Sequence, residues 1–143
     1  MAEAELEAGD GVLPPISDRD SDPWWEALRA GQLKVPRCGD CGATWFPSTP
    51  GCPECGGSHV QLVVSSGRGQ LYSWVVVNRA LNPAFSTDAP YTIVAVDLDD
   101  GARMVGRLLT KGAAPLCAGE PLSAVIYTVQ GQTLVGFGRA ASS

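Results

Sequence analysis

Four cysteines constrain this chain more than any other feature. Cys38 and Cys41 enclose Gly39-Asp40 and are followed by Gly42; Cys52 and Cys55 enclose Pro53-Glu54 and are followed by Gly56. Two C-x2-C pairs, each trailed by glycine, form two knuckles facing each other. A tight turn brings both sulfurs of a pair to one ion, and the glycine takes the positive φ that this turn requires. Four thiolates at the corners of a tetrahedron suit zinc, at about 2.3 Å per bond, with rubredoxin-like iron as the second choice. The ten residues between the pairs are fewer than the roughly 15–20 of many zinc ribbons, but enough for a small hairpin loop. Paired disulfides are the alternative, and a weak one, because Met1-Ala2-Glu3-Ala4-Glu5 opens no apolar export signal.

Four cysteine ligands close a coordination shell, so the metal is structural; a catalytic zinc keeps an open position for water or substrate. His59, the one histidine, is read as a surface residue at the start of a strand. Cys117 stands alone in a connector with no base to activate it. No Ser-His-Asp set and no phosphate-cradling glycine loop accompanies these residues. Gly67-Arg68-Gly69 is too short for such a loop and reads as a bulge at the start of a strand.

The net charge of −5 divides unevenly. Residues 1–32 carry eight acids against Arg19 and Arg29, and residues 33–143 carry eight bases against seven acids. The acidity therefore belongs to the N-terminal stretch, and the body is nearly neutral. Nucleic-acid binders draw affinity from a basic face, and no lysine or arginine run provides one here. With no stretch approaching a membrane span of about 20 apolar residues, reduced cysteines and no export signal, the expected compartment is the cytoplasm.

Composition shifts mark the organisation. Residues 1–20, acidic and with Gly9, Gly11, Pro14 and Pro15, read as a disordered arm. Residues 21–32 read as a short helix with Asp22 as N-cap, Pro23 at the first helical position and Gly31 as the stop. Residues 33–59 form the metal unit, with Trp45, Phe46 and Pro47 expected to shield the metal. From residue 60 onward the pattern is strands, at Gln70–Val77, Tyr91–Leu98, Arg103–Leu109, Pro121–Val129 and Thr133–Phe137, with Asp100-Gly101 and Gln130-Gly131 as hairpin turns. One long strand, a hairpin, a connector and a second hairpin fit a five-stranded OB barrel, with a small β-sandwich as the alternative.

In this order the motifs resemble a known family: bacterial and archaeal acyl-CoA-associated proteins with a rubredoxin-like zinc ribbon followed by an OB fold. The resemblance is carried by Pro23-Trp24-Trp25-Glu26-Ala27-Leu28, Arg37-Cys38-x2-Cys41-Gly42, Trp45-Phe46-Pro47, Cys52-Pro53-x-Cys55-Gly56, Ser66-Gly67-Arg68-Gly69, Pro90-Tyr91 and Val96-Asp97-Leu98-Asp99-Asp100-Gly101. It implies a mainly β protein with structural zinc on Cys38, Cys41, Cys52 and Cys55. It also implies a non-catalytic partner of a thiolase-fold acyl-CoA enzyme, in an α2β2 assembly. In actinobacterial steroid side-chain breakdown such a pair forms a retro-aldolase that cleaves a hydroxyacyl-CoA.

Candidate docking residues are Trp24 and Trp25, for which packing on the chain's own knuckles is the competing reading. Arg68, Arg79, Arg103, Arg107, Lys111 and Arg139 are candidate contacts for coenzyme A phosphates or an acidic partner rim. The rival class is a nucleic-acid-binding module in which Tyr72, Trp74 and Tyr91 stack bases.

Overall fold

The computed structural model describes residues 9–12, 17–110 and 115–139, so Lys111 lies outside the described residues. Helix α1, Asp22–Arg29, begins one residue after its N-cap, Ser21, which makes no side-chain capping bond. Asp22 is thus not the cap. Its carboxylate accepts instead from the Ser17 hydroxyl and the Asp18 N–H, while Asp18 accepts from the N–H groups of Asp20 and Ser21. At the far end Gly31 N–H reaches the Leu28 carbonyl and Gln32 N–H that of Ala27, both at 2.9 Å. This is the Schellman arrangement that a glycine stop favours. A helix of eight residues is marginal in water, and Trp24 and Leu28, buried one turn apart, fasten it to the body.

Strands β1 (Lys34–Cys38) and β2 (Val60–Val64) pair antiparallel, from Lys34↔Val64 to Cys38↔Val60. The ribbon thus has a two-stranded sheet of its own, which the sequence pattern did not separate from the barrel. Both knuckles lie between its two strands in sequence, so the pairing brings the chain leaving Cys38 back beside the chain arriving from Cys55.

Five further strands follow: β3 (Arg68–Val77), β4 (Tyr91–Leu98), β5 (Arg103–Arg107), β6 (Pro121–Val129) and β7 (Gln132–Arg139). They lie in the order β5-β4-β3-β6-β7, every pair antiparallel. A parallel bridge, Leu108↔Phe137, joins the two ends of that order, and Leu109 N–H donates to the Phe137 carbonyl at 2.7 Å. The sheet closes on itself, which selects the barrel over the sandwich. Glycine permits the closure: a Cβ on Gly136 would stand 2.7 Å from the Arg107 carbonyl oxygen.

Leu71, Val94, Val96, Met104, Leu122 and Phe137 fill the barrel, in one cluster with Trp24, Leu28, Leu33 and Val35 from the helix and ribbon. Each such side chain contributes about 1.5–3 kcal/mol on burial. The register irregularity in β3 falls between Leu71 and Ser73, not at Gly67-Arg68-Gly69. Gly69 has another use: β3 there runs so close to β4 that a Cβ would strike the Asp97 carbonyl. Only Arg68, Gly69 and Gln70 pair with β6, so beyond Leu71 the outer edge of β3 meets no strand among the described residues. No helix among the described residues is long and apolar enough to cross a membrane.

Candidate metal centre

The two knuckles are built alike. Gly42 N–H donates to the Cys38 carbonyl and Gly56 N–H to the Cys52 carbonyl, each at 2.9 Å, with φ of +77° and +76° at the glycines. In the first knuckle the N–H groups of Asp40 and Cys41 point at Cys38 Sγ, both at 3.4 Å. In the second, Glu54 N–H points at Cys52 Sγ (3.3 Å) and Gly57 N–H at Cys55 Sγ (3.4 Å). All four sulfurs lie within 4.8 Å of one another, with Cys38–Cys55 and Cys41–Cys52 at 3.6 Å. A tetrahedron with 2.3 Å bonds has edges of about 3.8 Å, so the donor set fits a four-thiolate zinc.

The acid–base chemistry agrees. The backbone N–H of Cys41 is the largest influence that brings Cys38 down to about 7. Cys41 is pushed up to about 12: the Ala43 N–H favours its thiolate, but sharing a proton with Cys52 and burial outweigh it. Four sulfurs this close do not all ionise unaided; a divalent cation makes four thiolates stable together. Four cysteine ligands leave no position for water or substrate, which suits the site to a structural zinc.

Trp45 covers the centre, clustering with buried Cys38 and Cys52 while its Nε1–H donates to Thr49 Oγ1 at 2.9 Å. Phe46 does not shield the metal. Its ring turns the other way, 5.4 Å from that of Trp24, because the helix leaves an apolar face to cover there. His59 is exposed and its Nδ1 lies 3.0 Å from Asp40, outside the ligand set.

The other residues singled out from sequence are scattered. Trp24 is 5% exposed and donates Nε1–H to the Lys34 carbonyl at 2.7 Å. Trp25 is half-buried, edge-on to it at 4.8 Å. Arg103 makes two bonds to Asp97 (2.6 and 3.1 Å) and lies 3.6 Å above the Tyr72 ring. Arg107 donates to Asp88 at 2.8 Å and lies over Tyr91. Arg139 pairs with Glu120. Arg68 and Arg79 are exposed, with no ion-pair partner among the described residues.

On the outward half of β3, sequence reasoning named Tyr72 and Trp74 only as base-stacking candidates and passed over Val75 and Val76. Tyr72, Trp74, Val75 and Val76 are 53%, 39%, 60% and 52% exposed beside the open edge, with Val105 of β5 close by in a shallow groove. The signal was there: Trp74-Val75-Val76-Val77 has no polar alternation, so an apolar side chain faces outward whichever face packs inward.

Comparison with known proteins settles the lineage. Residues 25–61 match the rubredoxin-like zinc ribbon domain of ChsH2, and residues 62–126 match its C-terminal OB-fold domain. The chain belongs to the ChsH2 (DUF35) family. A solved chain described as the Ltp2-ChsH2(DUF35) aldolase superposes with a TM-score of 0.75 at 33% identity, covering 89% of this chain and 99% of that one. A probable enoyl-CoA hydratase alpha subunit of Thermomonospora curvata is 37% identical over 71% of this chain and 30% of its own length. The 3-oxo-4,17-pregnadiene-20-carboxyl-CoA hydratase alpha subunit of Mycobacterium tuberculosis is 32% identical over 80% of this chain and 36% of its own. This chain thus spans only about a third of those two relatives. The benzoylsuccinyl-CoA thiolase subunit BbsA of Thauera aromatica is 35% identical over 56% of this chain and 54% of its own length.

Proposed function

We propose that this chain is a zinc-stabilised, non-catalytic accessory subunit of an acyl-CoA enzyme, with a thiolase-fold partner and retro-aldol cleavage of a hydroxyacyl-CoA as the reaction. The observation that carries this reading is the likeness, over nearly the whole of both chains, to the ChsH2(DUF35) aldolase chain. The site chemistry supports it. The metal shell is closed by four cysteines, and among the described residues the one histidine is exposed, bonded to Asp40 and outside the ligand set.

The partner docks, on this reading, on the outward half of β3. Its unpaired edge offers backbone N–H and C=O groups, and Trp74, Val75 and Val76 offer apolar area beside them. Trp25 flanks the helix as a second contact, and Trp24 acts from beneath by holding Trp25 in place. Arg68 and Arg79 remain available for coenzyme A phosphates or an acidic rim, whereas Arg103 places two donors on Asp97 and Arg107 places one, Nη1, on Asp88. A steroid acyl group, an α2β2 assembly with the acyl-CoA at its interface, and a cytoplasmic location complete the proposal.

The test is to tag the chain in its native host, recover it in the cytosolic fraction and identify what co-purifies by mass spectrometry. A stoichiometric thiolase-fold protein is the expected result. Recovery alone, or with nucleic acid that competes in a salt-sensitive manner, would overturn the reading in favour of an oligonucleotide-binding module.

A further inference from the structure

Within the stretch that reads from sequence as an arm, Gly9–Val12 lie against the barrel, and the seat is built for them. The Asp88 carboxylate accepts Asp10 N–H at 2.9 Å on one oxygen and Gly11 N–H at 2.8 Å on the other. Arg107 holds the same carboxylate at 2.8 Å, and the Asp88 side chain is only 3% exposed. From the β6–β7 turn, Gln130 Nε2 donates to the Asp10 carbonyl at 3.0 Å. The segment therefore bridges the loop after β3 to the turn between β6 and β7, which no strand pairing joins.

Only glycine fits at both ends of Gly9-Asp10-Gly11. A Cβ on Gly9 would stand 2.7 Å from Arg107 Nη2 and from the Asp88 carboxylate. One on Gly11 would run into the Phe85 ring and come within 2.8 Å of the Ala84 carbonyl oxygen. Beneath this bridge is a cavity of about 240 Å³, walled by Val12, Phe85, Tyr91, Ile93, Tyr127 and Leu134, with the Arg107 cation at its side. Its walls are mostly apolar, yet none of the six side chains is fully buried. The bridge itself is held by three hydrogen bonds, two to one residue, so it is the part of this wall that is easiest to lift.

We propose that Gly9–Val12 is a releasable strap over a ligand site, and that the cavity beneath takes the apolar body of a small ligand whose anionic end pairs with Arg107. The volume lies just under the usual range for ligand pockets, which sets the class: a short acyl or aromatic group with a carboxylate-like terminus. The site needs no partner chain, so it stands or falls separately from the accessory-subunit reading.

The experiment uses the full, zinc-loaded chain and 1-anilinonaphthalene-8-sulfonate, a fused aromatic ring with one anionic group, titrated by fluorescence. Gly11→Val expels the strap by steric conflict, and it should raise probe affinity about tenfold, the equivalent of losing one or two net hydrogen bonds. Adding Ile93→Trp, which fills the cavity, should abolish that gain. Gln130→Ala removes one strap bond without adding bulk and should give a smaller gain of the same sign. In the unmodified chain the amides of Asp10 and Gly11 should exchange with deuterium at least about tenfold more slowly than in Gly11→Val. Equal affinities in the unmodified chain and both single variants would overturn the proposal. So would a gain that survives Ile93→Trp, which would place the probe elsewhere, or strap amides that exchange at the rate of a free peptide.

Discussion

Trp24→Ala separates a core tryptophan from a docking one. At 5% exposure the indole is packed against Phe46 and Trp25, and its Nε1–H is the partner of the Lys34 carbonyl. Truncating a buried tryptophan costs about 3–5 kcal/mol, and leaving the carbonyl without its donor adds about 1 kcal/mol. Against a total stability of about 5–15 kcal/mol, that is a large share. At about 2–4 °C per kcal/mol for a chain of this size, the melting temperature should fall by roughly 8–24 °C. Trp24→Phe keeps an aromatic ring but drops the N–H, so it should lose about 1–2 kcal/mol. Trp25→Ala, from a half-buried site, should lose about 1–2 kcal/mol yet weaken partner binding more than that loss explains. The assay is thermal unfolding by circular dichroism at fixed free zinc, since bound metal shifts every midpoint by mass action, followed by titration of the partner at a temperature where all variants are folded. A Trp24→Ala chain that melts within about 2 °C of the parent would refute the packing argument, because burial on this scale has to register.

The geometry sets the outcome of four more substitutions and of one pH titration. Cys41→Ser should abolish stoichiometric zinc, measured by metal analysis, and unfold the ribbon, because in comparable peptides the metal supplies roughly 10–16 kcal/mol; full zinc with an unchanged melt would contradict the ligand assignment. Gly69→Ala should destabilise by about 3 kcal/mol in urea, since the new methyl meets the Asp97 carbonyl and neither strand has room to yield. Asp97→Asn should cost under about 1 kcal/mol because the Arg103 pair is half-exposed, whereas Asp88→Ala should cost about 3–5 kcal/mol by leaving Arg107 unpaired at 14% exposure. The Asp97 carboxyl is held below its ordinary 3.8 by the Arg103 hydrogen bond, so its small contribution is present above that value and fades as pH falls below it; a loss beginning near neutrality would assign it to another group.

Local chemistry was legible in the sequence wherever one residue type decides the backbone. Gly42 and Gly56 announce the knuckles, Asp100-Gly101 and Gln130-Gly131 the two hairpins, and Gly31 the end of the helix, because each sits at a positive φ that few other residues accept. What stayed hidden depends on contacts distant in sequence. Trp45 and Phe46 are neighbours of like composition, yet one faces Cys38 and the other Trp24, and only the assembled core distinguishes them. The pairing of Lys34–Cys38 with Val60–Val64 spans the whole metal unit, so no short window contains it. Gly9 and Gly11 read as loosening elements when alone; they become a fitted strap only once Asp88 and Gln130, some 80 and 120 residues on, are brought to them.

The distribution of apolar surface supports the proposal that this chain works as one part of an assembly. Its metal centre has a small apolar cluster of its own, separate from the main core, and nothing about that core demands more area: Phe137, Leu71, Met104 and Leu122 are already sealed. Yet β3 carries Trp74, Val75 and Val76 outward beside a backbone edge that no described strand covers. Natural edge strands are usually blunted by charge, proline or a bulge, and here the irregularity at Tyr72 comes before the apolar run and leaves the run itself unguarded. An unguarded edge of this composition is an aggregation hazard for an isolated chain, and the hazard is removed when a permanent partner covers it. A lysine in place of Val76 should therefore improve the solubility of the isolated chain while lowering its recovery with a partner. Those two effects oppose each other only if the same surface serves both.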